Sequence, residues 1–450
     1  MKKIFVVVSL VLAFGLAGPK IIGNSMNQNI SDFIANLNEM PGYQLKIKSL
    51  ETGWFSTTAE VNVGFDPAFL NDGSMNLSDE LMLKQLLNAD VNISAQHGPL
   101  LTLNGFRLGL FSFNIEVDDI SMREYLEYSE NQSLYSVKGR TSFLGATSFT
   151  DSMPSFTIVD LANFRFDGWS GKGKASSNKT SYQGEMPSLM FTEKGEGLEI
   201  TSVTINLDYD TSISDGMTNM FVDSKGEVNF GSVRYSGPSM DDDNNFTFKN
   251  LGVSALSEVN KNGDLIDYAL NFSIEAISVS IFNANDLVFN FELNNLKKSL
   301  IDLLEEVGQM NPSEMEQAML DLQEQNIEET KKYALPILQA SPEFNLTKMS
   351  GNIGRGNFSG YVKTKLTDIE NLPDVPEEDI AFWLSKLVID SKLTLDKPMA
   401  REIDYMFQLG AEAMIEAGML TKNSDGDFDL IFRLQDSLAT LNDDPFPLPF

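Results

Sequence analysis

Cysteine is absent from the 450-residue chain, and histidine occurs once, as His97. Without cysteine the protein can form no disulfide, no thiolate metal site and no thiol nucleophile. A single imidazole also rules out every multi-histidine metal site, including the His-Glu-x-x-His zinc motif. We therefore expect no metal and no cofactor, and the catalytic chemistry that stays open would use His97 or paired carboxylates.

Basic residues are scarce relative to acidic ones, because 33 Lys and Arg stand against 64 Asp and Glu and give a net charge of −31. Such a surface repels the phosphate backbone of nucleic acids, so we expect no nucleic-acid partner. The net charge also predicts no electrostatic adsorption to anionic lipid. The chain is nevertheless 42% hydrophobic, which suffices for a large core and excludes global disorder.

Long apolar runs are missing except at the N-terminus, where residues 4–17 carry no charge and follow two lysines. A short positive segment before an apolar run is typical of chains directed to export. Counted through Ile22, the segment is just long enough to stay in a bilayer as a helix. We expect residues 1–22 to anchor the protein in the inner membrane with its body in the periplasm. The alternative is a soluble periplasmic protein after cleavage near Ala17.

Apolar and polar residues alternate with a period of two in many short segments, which is typical of half-buried β-strands. These segments are residues 43–50, 55–65, 91–95, 111–117, 203–209, 287–293 and 428–434. In residues 268–281 the phase of the alternation changes, and this predicts a β-bulge near residues 275–277. Asp72-Gly73, Asp215-Gly216, Asn262-Gly263 and Asp425-Gly426 predict tight turns between strands.

Helical periodicity is confined to a few islands. They cover residues 24–40, a segment from Asn295 to Gly308, a helix from Asn311 limited by Pro336, residues 377–387 and residues 398–418. We predict an α+β fold dominated by β-structure, an extended twisted antiparallel sheet with amphipathic helices packed on it. The predicted divisions are residues 1–22, a mainly antiparallel β region at 23–293, and a mixed region at 294–450 with a loose C-terminal tail.

His97 lies in a Gln-His-Gly-Pro sequence directly after a predicted strand. A general base in a hydrolase is one interpretation, but no nucleophile elbow accompanies it. The competing interpretation is a histidine fixed at a strand-end turn. Among 64 acids a catalytic carboxylate pair cannot be singled out. We therefore predict no catalytic residue and a protein that is not an enzyme.

Phenylalanine is abundant, with 31 residues, and it concentrates in the alternating segments; the chain also holds 20 methionines. A packed core is the simple explanation. The alternative is a curved sheet whose Phe272, Phe289 and Phe291 line an apolar groove, with adaptable methionines nearby, that holds lipid.

Four elements together resemble one known family. They are the N-terminal lysine-plus-apolar segment, Gly53-Trp54-Phe55-Ser56-Thr57, His97-Gly98-Pro99, and residues 334–338 followed by the elements at 353–366, 387–395 and 399–418. In this order they resemble the YdgA-like family, a bacterial domain of unknown function in proteobacterial envelope proteins. Thr52 departs from the pattern, because the family usually has arginine there. The resemblance implies an inner-membrane anchor with a periplasmic body, and it implies no activity, substrate or catalytic residue.

The expected function is that of an exported, non-enzymatic envelope protein that binds lipid or another apolar partner in a phenylalanine-rich groove. The alternatives are a periplasmic scaffold or adaptor for envelope proteins and, less favoured, a hydrolase. The residues of the two short motifs form the predicted partner surface: Gly53, Trp54, Phe55, His97, Gly98 and Pro99.

Overall fold

A computed structural model describes residues 27–28, 30–32, 34–35, 37–38, 42–65, 88–117, 123–159, 161–238, 245–279, 282–308, 327–373, 379–407 and 411–448. The predicted N-terminal segment, residues 1–22, lies outside them, so the anchor stays a prediction. Among the described residues, no helix is long and apolar enough to cross a membrane. The chain divides into two compact units, of which unit 1 comprises Met1–Phe191, Thr204–Met220 and Val307–Glu316, and unit 2 comprises Thr192–Val203, Phe221–Glu306 and Gln317–Phe450.

Unit 1 is built almost entirely of β-strands. They are β1 (Tyr43–Thr52), β2 (Ser56–Phe65), β3 (Ala89–His97), β4 (Leu100–Leu101), β5 (Arg107–Leu108), β6 (Phe111–Val117), β7 (Leu126–Glu127), β8 (Tyr135–Thr141), β9 (Thr147–Met153), β10 (Phe156–Ile158), β11 (Leu161–Phe166), β12 (Trp169–Ala175) and β13 (Thr180–Glu193). A short helix, α1 (Ile213–Thr218), also belongs to it. β14 (Glu196–Tyr209) has residues in both units.

The strands of unit 1 pair as an antiparallel meander. The order is β1, β2, β3, β6, β8, β9, β12 and β13. β11 pairs with β13 in the same register as β12, and β10 pairs with β11 in the register of β9 with β12, so β10 and β11 continue the lines of β9 and β12; β7 pairs with β10. β4 and β5 form a separate small hairpin between β3 and β6.

On one face of unit 1, aromatic rings lie over glycines of the next strand. A Cβ at Gly139 would meet the ring of Phe113 at 2.3 Å, and one at Gly173 would meet Phe149 at 2.2 Å. A Cβ at Gly184 would likewise meet the ring of Trp169. The rings thus occupy the space that side chains would take on the neighbouring strand, an arrangement that protects strand glycines.

Unit 2 has a second antiparallel meander with longer strands. They are β15 (Ser224–Ser236), β16 (Phe246–Val259), β17 (Leu265–Val279), β18 (Phe282–Lys297), β19 (Glu343–Ile353), β20 (Gly356–Leu366), β21 (Leu387–Leu395), β22 (Thr421–Lys422), β23 (Phe428–Gln435), β24 (Leu438–Leu441) and β25 (Asp444–Pro445). β15 to β21 pair in chain order, then β23, β24 and β25 follow, and β22 pairs with β23.

Unit 2 also contains helices, and two of them contribute a residue to its buried clusters. The helices are α2 (Lys298–Gly308), α3 (Ile327–Gln339), α4 (Ile380–Lys386), α5 (Lys397–Phe407) and α6 (Ala411–Glu416). Ile301 of α2 is buried with Ile266 and Leu296, and Met399 of α5 is buried with Leu395 and Leu420.

The β-dominated, antiparallel architecture is confirmed, and the predicted strands occur where the alternation placed them. The predicted turns at Gly263 and Gly426 are also present, with φ angles of 71° and 87°. The turn predicted at Asp215-Gly216 is wrong, because both residues lie in the helix α1, and Asp72-Gly73 lies outside the described residues. Residues 309–326, which include the predicted helix start at Asn311, lie outside the described part of the chain.

Other expectations need correction. Pro336 lies inside α3 and does not end it. The C-terminal tail is not loose as far as Phe446, because β25 pairs with β24 and the Phe446 N–H donates to the Ala439 carbonyl at 2.9 Å. Residue 293, the predicted boundary, lies within β18, and the two compact units do not follow that division.

The predicted bulge near residues 275–277 of β17 is wrong, and the nearest register shift lies between Asn285 and Val288 in the pairing of β18 with β19. β17 stays in register there, with Ile274 opposite Leu287 and Ala276 opposite Asn285. The left-handed residues are Asn250 on β16 and Asp286 on β18, with φ angles of 47° and 51°. Asn and Asp tolerate this conformation better than the Glu or Ile residues of β17 do.

Candidate functional site

The two predicted motifs lie side by side at one end of unit 1. Residues 53–55 connect β1 to β2, and the Gly53 N–H donates to the Ser56 carbonyl at 2.8 Å. The His97 N–H donates to the Phe55 carbonyl, also at 2.8 Å. This bond joins the first motif to the second across neighbouring strands. Trp54 and Phe55 expose 52% and 48% of their surface.

His97 is enclosed at this junction, with only 1% of its surface exposed. Its Nε2 lies 2.9 Å from Thr57 Oγ1, which donates to Thr52 Oγ1 at 3.4 Å. Thr52 in turn donates to Asn27 Oδ1 at 2.7 Å. Because Thr57 has one hydroxyl proton and gives it to Thr52, the His97 ring donates to Thr57. The histidine thus ties β3 to β2 and, through the threonines, to Asn27.

Gly98 and Pro99 turn the chain out of β3. Gly98 has a φ of 115°, a conformation that suits only glycine, and its N–H donates to the Leu110 carbonyl at 2.9 Å. The Pro99 carbonyl accepts from the Gly109 N–H at 3.3 Å. These bonds close the base of the β4–β5 hairpin. All six predicted surface residues therefore belong to one structural corner, with Trp54, Phe55 and Pro99 as its exposed side chains.

Five further apolar side chains are exposed at the same end of unit 1 and were missed. They are Leu100, Phe106, Leu108, Phe143 and Leu144, with exposures of 57%, 65%, 61%, 54% and 96%. The sequence did hold a signal for them, because residues 98–110 and 142–146 contain no acidic residue although the chain has 64. Exposed apolar side chains grouped in this way mark interaction surfaces.

A buried carboxylate lies deeper in the same sheet. Asp151 is 5% exposed, and its Oδ2 accepts hydrogen bonds from Tyr135 Oη at 3.1 Å, Trp169 Nε1 at 2.9 Å and Tyr182 Oη at 3.1 Å. Burial, with the charge of Asp151, raises the pKa of Tyr182 to about 12, although the Trp169 hydrogen bond opposes it. Burial is also the main cause that raises the pKa of Tyr135, the charge of Asp151 is the second, and the pKa of Tyr135 is raised further than that of Tyr182. Both phenols therefore stay protonated donors at neutral pH.

Asp429 is the corresponding buried acid of unit 2. It accepts from Lys392 Nζ at 2.9 Å, Thr394 Oγ1 at 2.8 Å and Asn423 Nδ2 at 3.2 Å. Burial alone would raise its pKa, but these hydrogen bonds outweigh burial and hold the pKa below its ordinary value. The nearby Asn423 Oδ1 accepts from the N–H groups of Asp425 and Asp427, so this segment is a hairpin turn. No group of three His, Asp or Glu side chains in the described ranges is arranged to hold a metal ion.

The three phenylalanines predicted to line a groove share one face of the unit 2 sheet. One row of paired residues runs Val253, Phe272, Phe289, Met349, Gly360, Leu393 and Leu430, and the next runs Ala255, Leu270, Phe291, Leu346, Val362, Ser391 and Phe432. We call these two rows the apolar face. A register shift in β19 between Leu346 and Met349 keeps both of these residues on it.

The apolar face is only partly covered. Leu270 is 36% exposed, and beside the face Leu293 and Phe344 are 38% and 52% exposed. The rings of Phe272 and Phe291 meet edge to face with centroids 6.0 Å apart, and Phe344 extends this contact at 6.5 Å from Phe291. The opposite side of the same strands is polar, as the row Ala269, Glu292, Asn345, Lys363, Asp390 and Arg433 illustrates.

Comparison with known proteins gives one match. A family model described as "Bacterial protein of unknown function (DUF945)" matches residues 1–449. No curated protein matches the chain, and no solved structure matches it.

Proposed function

The chain belongs to DUF945, a family of bacterial proteins of unknown function with which the YdgA-like resemblance is consistent, and on that premise we propose that it is an exported, non-enzymatic envelope protein that binds lipid on the apolar face of unit 2. The observation that carries the proposal is the continuity of that face. Two adjacent rows cross seven strands, and Ser391 is the only hydrogen-bonding side chain in them.

An acyl chain fits such a face better than a protein surface does. Water contact with half-exposed Leu and Phe side chains is unfavourable, by about 25 cal/mol for each Å² of apolar surface. A protein partner would bring peptide groups that need hydrogen-bond partners when they are buried. An acyl chain needs none. The apolar face therefore favours lipid as the ligand.

In this proposal, α2 and α5 leave the middle of the apolar face of unit 2 open to a ligand. Ile301 of α2 packs near Tyr268 at one end of the strands, and Met399 of α5 packs near Leu393 and Leu430 elsewhere. We propose that these amphipathic helices cover the ends of the sheet, while the region around Leu270 and Phe291 receives the ligand.

The position of His97 supports a non-enzymatic role. At 1% exposure the imidazole cannot reach a substrate in solution, and its Nε2 is engaged by Thr57. General base catalysis requires the ring to lie within hydrogen-bond reach of the proton that it removes.

A matched pair of leucines tests lipid binding. Leu270 and Leu256 lie on neighbouring strands and are 36% and 38% exposed, but Leu256 pairs with Ala269 and so points to the polar side. Native mass spectrometry of the full chain, released from membranes in mild detergent, should detect bound lipid in the wild type and in Leu256→Asp. Leu270→Asp should lose it. Equal lipid occupancy in the two variants would contradict the proposal.

A scaffold function is the second candidate, and one feature of unit 1 favours it. Within the described residues, β1 pairs with no strand other than β2; on its outer edge the Leu45 N–H and C=O are bonded to the Asn38 side chain, and the edge positions beyond Leu45 could meet an added strand. Tyr43 on this strand is 43% exposed. Proline at position 47, whose N–H lies on the same outer edge as that of Leu45, should abolish capture of an envelope protein by this edge if the scaffold function is correct, because proline removes a donor.

A further inference from the structure

Three connections leave the same end of the unit 1 sheet. His97, Phe111, Thr141 and Thr147 form its last paired row, so residues 53–55, 98–110 and 142–146 emerge beside one another. With strands about 4.8 Å apart, the centres of the three connections lie on a line roughly 20 Å long. We call these three connections the turn end of unit 1.

The hairpin at the turn end has two unlike faces. Leu101 pairs with Arg107, and Leu101 is fully buried, so this pair faces the sheet. Leu100 pairs with Leu108, and both side chains point outward with more than half of their surface exposed. Leu144, in the next connection, is 96% exposed. The apolar side chains are thus directed away from the body of the unit.

The turn end also differs in charge from the rest of the chain. Its residues include Arg107 and no acid, in a protein whose net charge is −31. Behind the hairpin lies a pocket of about 320 Å³ whose lining includes Arg107, Lys138, Arg140 and Ser112. Lys138 and Arg140 form no ion pair with any residue in the described ranges. This end would therefore attract an anionic surface that the whole protein repels.

Hydroxyl donors complete the pocket. Ser112 is 2% exposed, and its Oγ has no hydrogen-bond partner among the described residues. Thr150 pairs with Lys138 and also with Lys172 on the far side, and Ser148 lies in the same way between Arg140 and Lys174. The four cations thus surround two hydroxyls on one polar face, a donor set suited to phosphate oxygens.

A membrane anchor at residues 1–22 would place the turn end close to a bilayer. Asn27 accepts a hydrogen bond from Thr52, the residue that precedes the first connection. Only five residue steps separate Ile22 from Asn27, so the two lie within about 17 Å of each other even in an extended chain. If residues 1–22 occupy a membrane, the turn end lies near its surface.

We propose that the turn end of unit 1 docks on a phospholipid bilayer. The outward Leu and Phe side chains enter the interface between headgroups and acyl chains, and the pocket behind Arg107 binds the phosphate of a lipid headgroup. This contact is separate from lipid binding by the apolar face of unit 2, and it holds or fails independently of that function.

The absence of cysteine makes the test direct, because one introduced cysteine is labelled alone. Leu144→Cys carries an environment-sensitive nitrobenzoxadiazole dye at the turn end. Asn131→Cys, an exposed position before β8 at the opposite end of the strands, is the control. The full chain is reconstituted in vesicles of phosphatidylcholine and phosphatidylglycerol that contain a nitroxide-labelled lipid. We expect a blue shift and quenching at position 144 and neither at 131. Absence of both effects at 144, or equal effects at the two positions, would overturn the proposal.

The phosphate pocket is tested with the same dye. Quenching at position 144 should be weaker in vesicles of phosphatidylcholine alone, and Lys138→Gln with Arg140→Gln should remove this dependence on phosphatidylglycerol. Lys225→Gln with Lys249→Gln makes the same change of charge in unit 2 and should leave it intact. If the first pair of substitutions has no effect, or if added single-stranded DNA displaces the dye from phosphatidylglycerol vesicles, a bilayer phosphate is not the ligand of this pocket.

Discussion

The Nε2 atom of His97 lies 2.9 Å from the hydroxyl of Thr57, and the two side chains are 1% and 0% exposed. This contact holds the two sequence motifs of unit 1 together, because His97 is the last residue of β3 and Thr57 is the second residue of β2. A histidine bonded in this way stabilises the fold.

We predict that Thr57→Val destabilises the protein. The substitution leaves a buried imidazole donor without its partner, which typically costs 1–3 kcal/mol. Urea unfolding followed by circular dichroism measures the change. Thr58→Val, on the exposed side of the same strand, serves as the control and should have little effect. An unchanged urea midpoint for Thr57→Val, combined with loss of the protein's biological effect, would instead favour a catalytic His97.

We predict that Gly139→Ala destabilises unit 1, because the new methyl group would lie 2.3 Å from the Phe113 ring. Overpacking of this kind typically costs about 1–3 kcal/mol. Gly64→Ala is the matched control, since its methyl group would meet no atom closer than 3.4 Å. Phe113→Ala should make the Gly139→Ala substitution less damaging, and additive effects of the two changes would contradict the contact.

The buried carboxylate of unit 2 predicts a dependence of stability on acid. Hydrogen bonds lower the pKa of Asp429 in the folded protein despite its burial. In the unfolded chain an aspartate has a pKa near 3.9, so the unfolded state binds more protons in acid than the folded state does. The stability that Asp429 contributes is therefore complete above about pH 4. It is lost as the pH falls through the lower pKa of the folded state. Asp429→Asn should lower the free energy of unfolding at pH 7 by on the order of 2 kcal/mol. It should also weaken the loss of stability between pH 4 and pH 2, which we call the acid limb. Urea midpoints from pH 2 to 7 measure both effects, with exposed Asp425→Asn as the control; an unaltered acid limb in Asp429→Asn would contradict the assignment.

The tyrosines around Asp151 predict the opposite dependence in alkali. Folding raises the pKa of Tyr182 to about 12, chiefly through burial. The associated stability is full below the unfolded pKa of about 10 and is lost as the pH rises through 12. Spectrophotometric titration should find tyrosines that ionise only near or above pH 12. In Asp151→Asn these should ionise at lower pH, because the neighbouring negative charge is gone; an unchanged titration would contradict the contact.

Much of unit 2 could be predicted from local sequence because the alternation of apolar and polar residues is a local signal. Phe272, Phe289 and Phe291 were predicted to line one surface, and they do share a face. The position of the bulge was harder to predict. The phase change appears in the sequence of β17, but β17 keeps its register there, and the nearest shift lies between Asn285 and Val288 in the pairing of β18 with β19.

The turn end of unit 1 shows what the sequence could not supply. Phe55 and His97 were selected from motifs, and the hydrogen bond between them depends on the register of β2 and β3. Lys138 and Lys172 lie on strands that are 34 residues apart, so their grouping about Thr150 follows only from sheet pairing. A net charge of −31 is a sum over the whole chain and cannot reveal a local basic surface.

Photo-crosslinking in living cells tests lipid binding by the apolar face most directly. Benzoylphenylalanine is placed at Leu270 on that face or at Leu256 on the polar side, and mass spectrometry identifies what each position captures after irradiation. We predict acyl-lipid adducts at position 270 and none at position 256. Protein adducts without lipid at position 270, or lipid adducts in equal amounts at both positions, would contradict the account.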